Sequence, residues 1–341
     1  MKCQLFLACF SIIILASSCQ KNKDAELPAD ATCTNITQTI NDTLISLVTV
    51  ETGTSVYIGK IQNGITTTIA TQTGFEFWGP SISPDKKKFI CFRSPTGNTE
   101  KYNDYTAAEL WLFNIDGSNG HSIASLSSQM LHAMGMGKWA PDGFHIVFAG
   151  EKNETDGNLH WNIYLTDTLG SAGIKMNTRL GSFKYPVFAN GDMTKLAYEA
   201  WNVGIINAGS VFDTEVHLAN VNGSFQFSTE QKITSNEDFE YSPSFSPDNS
   251  TLVYCQNTSL AAKTAIELYS SNLTTLTATK VLGNNSINEY PVWCSTNNMI
   301  YFLDNGNGNC FEHVNRINPS GTGNATVYQQ MNAQLRNVDI K

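Results

Sequence analysis

Side chains able to do chemistry are sparse in this chain of 341 residues, and they do not gather into a known catalytic signature. The six histidines (His121, His132, His145, His160, His217 and His313) are dispersed. No G-x-S-x-G elbow, H-E-x-x-H pair or G-x-x-x-x-G-K-[ST] loop occurs, and no C-x-x-C spacing that would hold zinc or cycle a disulfide. Asp304-Asn305-Gly306-Asn307-Gly308-Asn309 offers oxygen ligands at alternate positions, as calcium loops do, but the twelfth position is Asn315 and not the bidentate Glu of an EF-hand. It reads as a polar loop, and no Ca2+ or other cofactor is expected. His132, Lys184 and Tyr185 are the one set from which a base for a lyase or glycosidase would have to come.

The elements that must position such residues are announced by a recurring phrase. It appears as Pro80-Ser81-Ile82-Ser83-Pro84-Asp85 and as Lys138-Trp139-Ala140-Pro141-Asp142-Gly143. It returns as Pro186-Val187-Phe188-Ala189-Asn190-Gly191-Asp192, as Pro243-Ser244-Phe245-Ser246-Pro247-Asp248, and in worn form as Pro291-Val292-Trp293-Cys294-Ser295. From Asp85 the acidic turn residue recurs after 57 positions (Asp142), then 50 (Asp192), then 56 (Asp248). Repeats of about 40–50 residues plus insertions are sheet units that cannot bury their apolar face alone, so copies must stack. Each unit reads as an inner strand, a tight turn set by Pro and Asp or Gly, a second strand such as Ile146-Val147-Phe148, and a third such as Glu109-Leu110-Trp111-Leu112-Phe113. Asn114-Ile115-Asp116-Gly117-Ser118 and its relatives turn the chain into a fourth. An Asp needed once per unit caps its own turn, and Trp139, Phe188, Phe245 and Trp293 are expected to pack between units.

Leu44 to Val50 and Ser55 to Lys60 look like second and third strands lacking an inner strand, and Gln334 to Lys341 looks like one orphan strand. The expectation is an all-β, six-bladed β-propeller whose C-terminal strand closes the first blade, leaving no open sheet edge. The Pro-x-Phe-Ser-Pro-Asp phrase, with Asn-x-Asp-Gly-Ser on the third strand, resembles the TolB-like six-bladed β-propeller repeat over residues 40–341. That resemblance implies a propeller and leaves the function open, since such folds serve as binding platforms, enzyme domains and scaffolds. The separate α/β domain that precedes the propeller of a complete TolB is not read in this sequence. The Ser-Pro-Asp turns also lack the Gly of the Ser-x-Asp-x-Gly turns found in sialidases.

The chain is 41% hydrophobic and 15% charged, with a formal net charge of −9. That charge argues against nucleic acid as a partner. Residues 1–18 read as a lipoprotein signal peptide: Met1-Lys2, an apolar run from Leu5 to Leu15, then Ala16-Ser17-Ser18 before Cys19. The Cys after small residues resembles the bacterial lipobox, which implies lipidation of Cys19. Residues 19–39 then form a polar tether, and 40–341 the propeller. The expected location is the cell envelope, lipid-anchored, at the outer membrane. Of the eight cysteines, Cys33, Cys91, Cys255, Cys294 and Cys310 remain beyond that point, an odd number, with a Cys294–Cys310 bridge as one option.

The topology places a candidate site. The Pro-Asp and Asp-Gly-Ser turns share one face; the loops entering the inner strands ring the opposite mouth. Those loops are rich in aromatic and charged residues, which suit a peptide or a glycan. The candidate contacts are Glu76, Trp78, His132, Lys184, Tyr185, Glu240, Tyr241, Glu289, Tyr290 and Arg336. The leading expectation is a non-catalytic, envelope-anchored platform for a protein or glycan. A propeller-type lyase or glycosidase, and a structural scaffold of an envelope complex, are the alternatives.

Overall fold

The structure is a computed structural model that describes residues 44–341 apart from 54, 64, 98–104, 202–213, 237, 258–264, 285, 305–310 and 332. Cys19, Cys33, Cys310 and the loop after Asp304 lie outside the described residues.

Short alternating runs become strands throughout, and consecutive strands pair as antiparallel meanders. The first sheet holds β1 (Ser46–Glu51), β2 (Val56–Gln62), β3 (Ile65–Ala70) and the C-terminal β24 (Gln334–Ile340), in the order β24-β1-β2-β3. Ser46 lies opposite Ile340 and Glu51 opposite Gln334, so the last strand of the chain lies beside the first. The second sheet runs β4 (Phe75–Ile82), β5 (Lys88–Pro95), β6 (Glu109–Asn114), β7 (His121–Ser125). The third, entered through the short helix α1 (Leu126–Gln129), runs β8 (Ala133–Trp139), β9 (His145–Asn153), β10 (Leu159–Asp167), β11 (Ile174–Lys175).

Next come β12 (Ser182–Ala189), β13 (Asp192–Trp201), β14 (Thr214–Val221) and β15 (Phe227–Lys232), then β16 (Phe239–Phe245), β17 (Thr251–Asn257), β18 (Glu267–Asn272) and β19 (Ala278–Leu282). These two meanders are hydrogen-bonded into one eight-stranded sheet through a single parallel bridge, Thr214 to Phe239. A final four-stranded sheet runs β20 (Asn288–Cys294), β21 (Met299–Asp304), β22 (Phe311–Ile317), β23 (Ala325–Met331). Where the sequence led to six separate sheets, the hydrogen bonding shows four of four strands and one of eight. The bridge that fuses the middle pair is a pairing between third and inner strands, which no repeat motif encodes.

The core lies between meanders, face to face. Phe77, Phe89 and Phe113 pack on Leu47 and Ile58; Trp78, Ile90 and Phe92 pack on Met134, Ile146 and Phe148. Phe183 and Tyr198 meet Val147 and Leu165, and Phe245 and Tyr254 meet Ala197 and Val216 within the eight-stranded sheet. Trp293 and Phe302 meet Val253 and Leu268, and Val48, Val50 and Leu335 meet Tyr301 and Leu303. Each unit thus buries both faces against neighbours.

Two backbone devices recur. Every inner strand is bulged at its middle, with a residue of positive φ: Gly79 (63°), Met136 (58°), Tyr185 (49°), Ser242 (54°), Tyr290 (54°) and Asn337 (46°). The ladder skips at each of these points, for example between Trp78 and Ser81 and between Tyr241 and Ser244. Pro follows directly at Pro80, Pro186, Pro243 and Pro291, where a ladder N–H is not needed. The second device is the glycine after the third strand. A Cβ on Gly117 would lie 2.1 Å from the Ile69 carbonyl oxygen, on Gly170 1.9 Å from that of Ile123, and on Gly321 2.7 Å from that of Val281. These turns press against the outer strand of the preceding meander, and all three carry positive φ.

The repeated acids cap their own turns. Asp85 accepts from Ser83 Oγ and the Lys87 N–H, Asp142 from the N–H groups of Phe144 and His145, and Asp248 from Ser246 Oγ and the Ser250 N–H.

Candidate functional site

The six bulged strands converge on the axis and enclose a cavity of about 380 Å³. Its walls come from β4, β8, β12, β16, β20 and β24, and include Trp78, Met136, Tyr185, Ser242, Tyr290 and Asn337. The bulge takes Met136, Tyr185, Ser242, Tyr290 and Asn337 out of the ladder, whereas Trp78 stays paired with Phe92. Toward the Pro-Asp turns the wall carries Lys86, Lys138, Asn190, Thr296, Asp339 and Lys341. Lys138 Nζ lies 3.6 Å from Asp339 Oδ1, and Asp339 Oδ2 accepts the Ile82 N–H at 2.6 Å. Trp139, Phe188, Phe245 and Trp293 are buried between meanders, as their repetition suggested, and also face this cavity.

The candidate residues fall into three groups. Tyr185 and Tyr290 line the cavity, with ring centroids 6.5 Å apart, and Tyr185 lies 5.9 Å from Tyr241. Trp78 touches the cavity but is 2% exposed, stacked on Phe92 at 4.8 Å with its indole N–H on Ser94 Oγ.

The second group is built into the seams instead of facing solvent at the mouth. Glu76 and Glu240 are buried; Thr234 Oγ1 donates to Glu240 Oε2 at 3.4 Å. Tyr241 is buried and donates its hydroxyl to Glu289 Oε1 at 2.8 Å; burial, with Glu289 beside it, pushes the phenol well above its usual range. Arg336 is held by Glu51 Oε2 at 2.6 Å and Gln334 Oε1 at 2.7 Å. Tyr241 and Arg336 stand just before a bulge and stay in the ladder, opposite Cys255 and Thr49, while Glu76 and Glu240 lie further back in theirs, opposite Ser94 and Gln256.

The third group is His132 and Lys184. His132 is exposed and pairs through Nδ1 with Glu151 Oε2 at 2.9 Å. Lys184 is half-buried, its Nζ 5.0 Å from the Trp161 ring centroid and 5.3 Å from that of Trp201. Opposite it in the β12–β13 ladder lies Glu199, 1% exposed, whose Oε1 accepts the Trp201 indole N–H at 2.6 Å. Burial raises the Glu199 carboxyl to about 7 against the pull of Lys184 and that N–H, and burial lowers the Lys184 amine against the pull of Glu199 and Glu151. Glu151, Trp161, Glu199 and Trp201 lie on β9, β10 and β13, in stretches that the repeat phrase does not mark. The charged residues around 151 and 199–201 were the available signal.

Asp304 accepts from Ser286 Oγ (2.5 Å) and Asn315 Nδ2 (3.0 Å), so its carboxylate serves its own sheet. Among the described residues, no group of three or more His, Cys, Asp or Glu side chains is placed to hold a metal ion. Cys91, Cys255 and Cys294 are buried free thiols. No helix among the described residues is long and apolar enough to cross a membrane.

No protein-family model and no curated protein matches the sequence. Solved structures do. A putative TolB from Agrobacterium tumefaciens superposes with a TM-score of 0.59 at 13% identity, covering 86% of this chain and 92% of that one. TolB from Acinetobacter baumannii gives 0.64 at 14% identity, covering 87% of this chain and 66% of that one. This chain has a TolB-like β-propeller fold. A hydrazine synthase from Kuenenia stuttgartiensis gives the same TM-score of 0.64 at 12% identity, with 87% of this chain matched to 46% of that one. Identities this low establish the TolB-like propeller as a fold and no more, and the breadth of proteins that share it fits a scaffold carrying unrelated sites.

Proposed function

We propose that this chain is a cell-envelope lipoprotein whose six-bladed propeller binds a protein segment or an envelope glycan at its axis, without itself doing chemistry. The observation that carries the reading is the axial cavity of about 380 Å³, walled by all six bulged strands and bearing Tyr185 and Tyr290 beside Lys86 and Lys138. Aromatic rings with a few polar groups in a concave site are what ligand pockets offer. The eight-stranded sheet counts as two blades joined by one bridge, and β24 beside β1 closes the ring. Lipidation at Cys19 and an outer-membrane location rest on the sequence of residues 1–19. Glu76, Trp78, His132, Lys184, Glu240, Tyr241, Glu289 and Arg336 remain proposed mouth contacts or supports, with Tyr185 and Tyr290 at the centre.

The test is capture from detergent-solubilised native envelope by the full chain, with proteins and glycans identified by mass spectrometry. One partner or glycan retained by the wild type and lost with Tyr185→Ala and Tyr290→Ala supports the reading. Retention by both variants moves the site away from the axis. A glycan shortened on incubation replaces the binding module with an enzyme.

A further inference from the structure

The mouth between the third and fourth meanders holds an arrangement that occurs once among the described residues. Glu199 on β13 is almost completely enclosed; one oxygen takes the Trp201 indole N–H at 2.6 Å, and Oε2 has no hydrogen-bond partner among the described residues. Lys184, directly opposite on β12, brings its ammonium group between the Trp161 and Trp201 rings. A carboxylate left with one bare oxygen in an apolar surround is costly unless a cation comes to it. The nearest mobile cation is Lys184, whose four-carbon stem lets the head move while its backbone stays in the ladder.

We propose that Glu199 and Lys184 form a proton-controlled latch at this mouth: ionised Glu199 draws the Lys184 ammonium inward, and protonated Glu199 releases it toward solvent between the two indoles. The device deepens the binding reading by giving the mouth two charge states. It rests on that reading only for its consequence, because the latch is measured with no ligand present.

The surrounding charges are specific. Glu151 on β9 also acts on the Lys184 charge and is engaged by His132. Glu215 on β14 is fully buried but already paired with Lys232 Nζ at 2.6 Å. On β16, Glu240 takes a hydroxyl from Thr234, and near its start Asp238 takes the Gln256 amide at 2.5 Å. Glu199 is the carboxyl of this neighbourhood whose burial puts its titration near neutrality. Protonation leaves Lys184 with Glu151 as its remaining carboxylate, so the mouth gains one positive charge as pH falls through that point. Acidic ligand groups are favoured on that side, and neutral or basic ones on the other.

The experiment is a pH titration of the full chain from 5.5 to 8.5, read by indole emission. Wild type is expected to show a step with its midpoint within about one unit of 7. Glu199→Gln removes the step. Lys184→Met moves the midpoint upward, because the cation that favours ionisation is gone. His132→Gln leaves the step in place, which separates the latch from the neighbouring imidazole. Trp201→Phe removes the N–H donor and also moves the midpoint up; it serves where Glu199→Gln does not fold. A step retained in Glu199→Gln, a step lost in His132→Gln, or a flat wild-type curve overturns the latch. Failure of the axial binding test with an intact step overturns the binding reading alone.

Discussion

The inner-strand bulges and the Lys184–Glu199 mouth sit close together yet obey opposite rules. The bulge with positive φ appears in all six inner strands, whatever residue occupies it: Gly, Met, Tyr, Ser, Tyr and Asn. The mouth arrangement needs two tryptophans, a lysine and an enclosed glutamate, and occurs once among the described residues. Residues that repeat serve the unit they sit in; residues that break the repeat are where a particular function is to be sought. The difference can be attacked from either side.

The largest effect is expected on the repeated side. Gly170→Ala sets a Cβ against the Ile123 carbonyl oxygen at 1.9 Å and forces a side chain into positive φ, with backbone and not a flexible side chain in the way. A loss on the order of 3 kcal/mol or more is expected in denaturant unfolding. Gly223→Ala, in the turn of the fourth meander where Phe225 and not the glycine holds the positive φ (60°), meets nothing within 4 Å, and a change within about 1 kcal/mol is expected. Equal costs at the two sites would remove the idea that these glycines clamp neighbouring meanders.

On the singular side, Glu199→Gln has a sign that depends on pH. Its folded carboxyl is raised from 4.5 to about 7, so the folded chain binds a proton that the unfolded chain has shed between those values. Its contribution is fully present below about 4.5 and is lost as pH rises through 7. Glutamine keeps the acceptor for Trp201 and never ionises. The variant is therefore expected to be more stable than wild type at pH 8 by on the order of 2–3 kcal/mol, and about equal at pH 4.5. Thermal unfolding at the two pH values checks this; a gap independent of pH would mean that the carboxylate itself is not strained.

The same contrast explains what the sequence made legible. The Pro-x-aromatic-Ser-Pro-Asp copies carry the strands, the turns and the seams, because each is a local pattern repeated until chance is excluded. Tyr185 and Tyr290, which precede the repeated Pro, line the axial cavity. Tyr241, Glu240 and Glu76 are buried, which their residue types do not announce. Trp161 has no local signature, because it matters only through Lys184, which lies 23 positions away. The bridge from Thr214 to Phe239 likewise has no local signature.

A smaller effect is expected at His217, which lies outside both regions. Burial, then the nearby Arg179, lowers its imidazole to about 4, with Glu230 acting in the other direction. The unfolded chain binds the extra proton between about 4 and 6.5, so stability is full above that range and falls as pH drops through it. Half-buried as it is, the ring is expected to account for about 1–2 kcal/mol of acid destabilisation. His217→Gln should flatten the dependence of unfolding free energy on pH between 4 and 6.5, and an unchanged slope would assign that acid sensitivity to other groups.

The smallest effect belongs to the repeated acids. The Ser83 hydroxyl, then the Lys87 N–H, hold the Asp85 carboxyl below its ordinary value, but the group is exposed. Asparagine at 85 keeps an acceptor for both donors and loses only the charge, so Asp85→Asn should cost about 0.5 kcal/mol or less. That contribution is present above the ordinary carboxylate range and disappears as pH falls through the lowered value. Changing Asp85, Asp142, Asp192 and Asp248 together to Asn should give a roughly additive loss of about 1–2 kcal/mol, since each caps a separate turn. If the fourfold variant still captures the same envelope partner at unchanged affinity, the repeated face is scaffold. If capture is lost while unfolding shifts only by that amount, the acids touch the ligand, and repetition in this fold no longer separates structure from function.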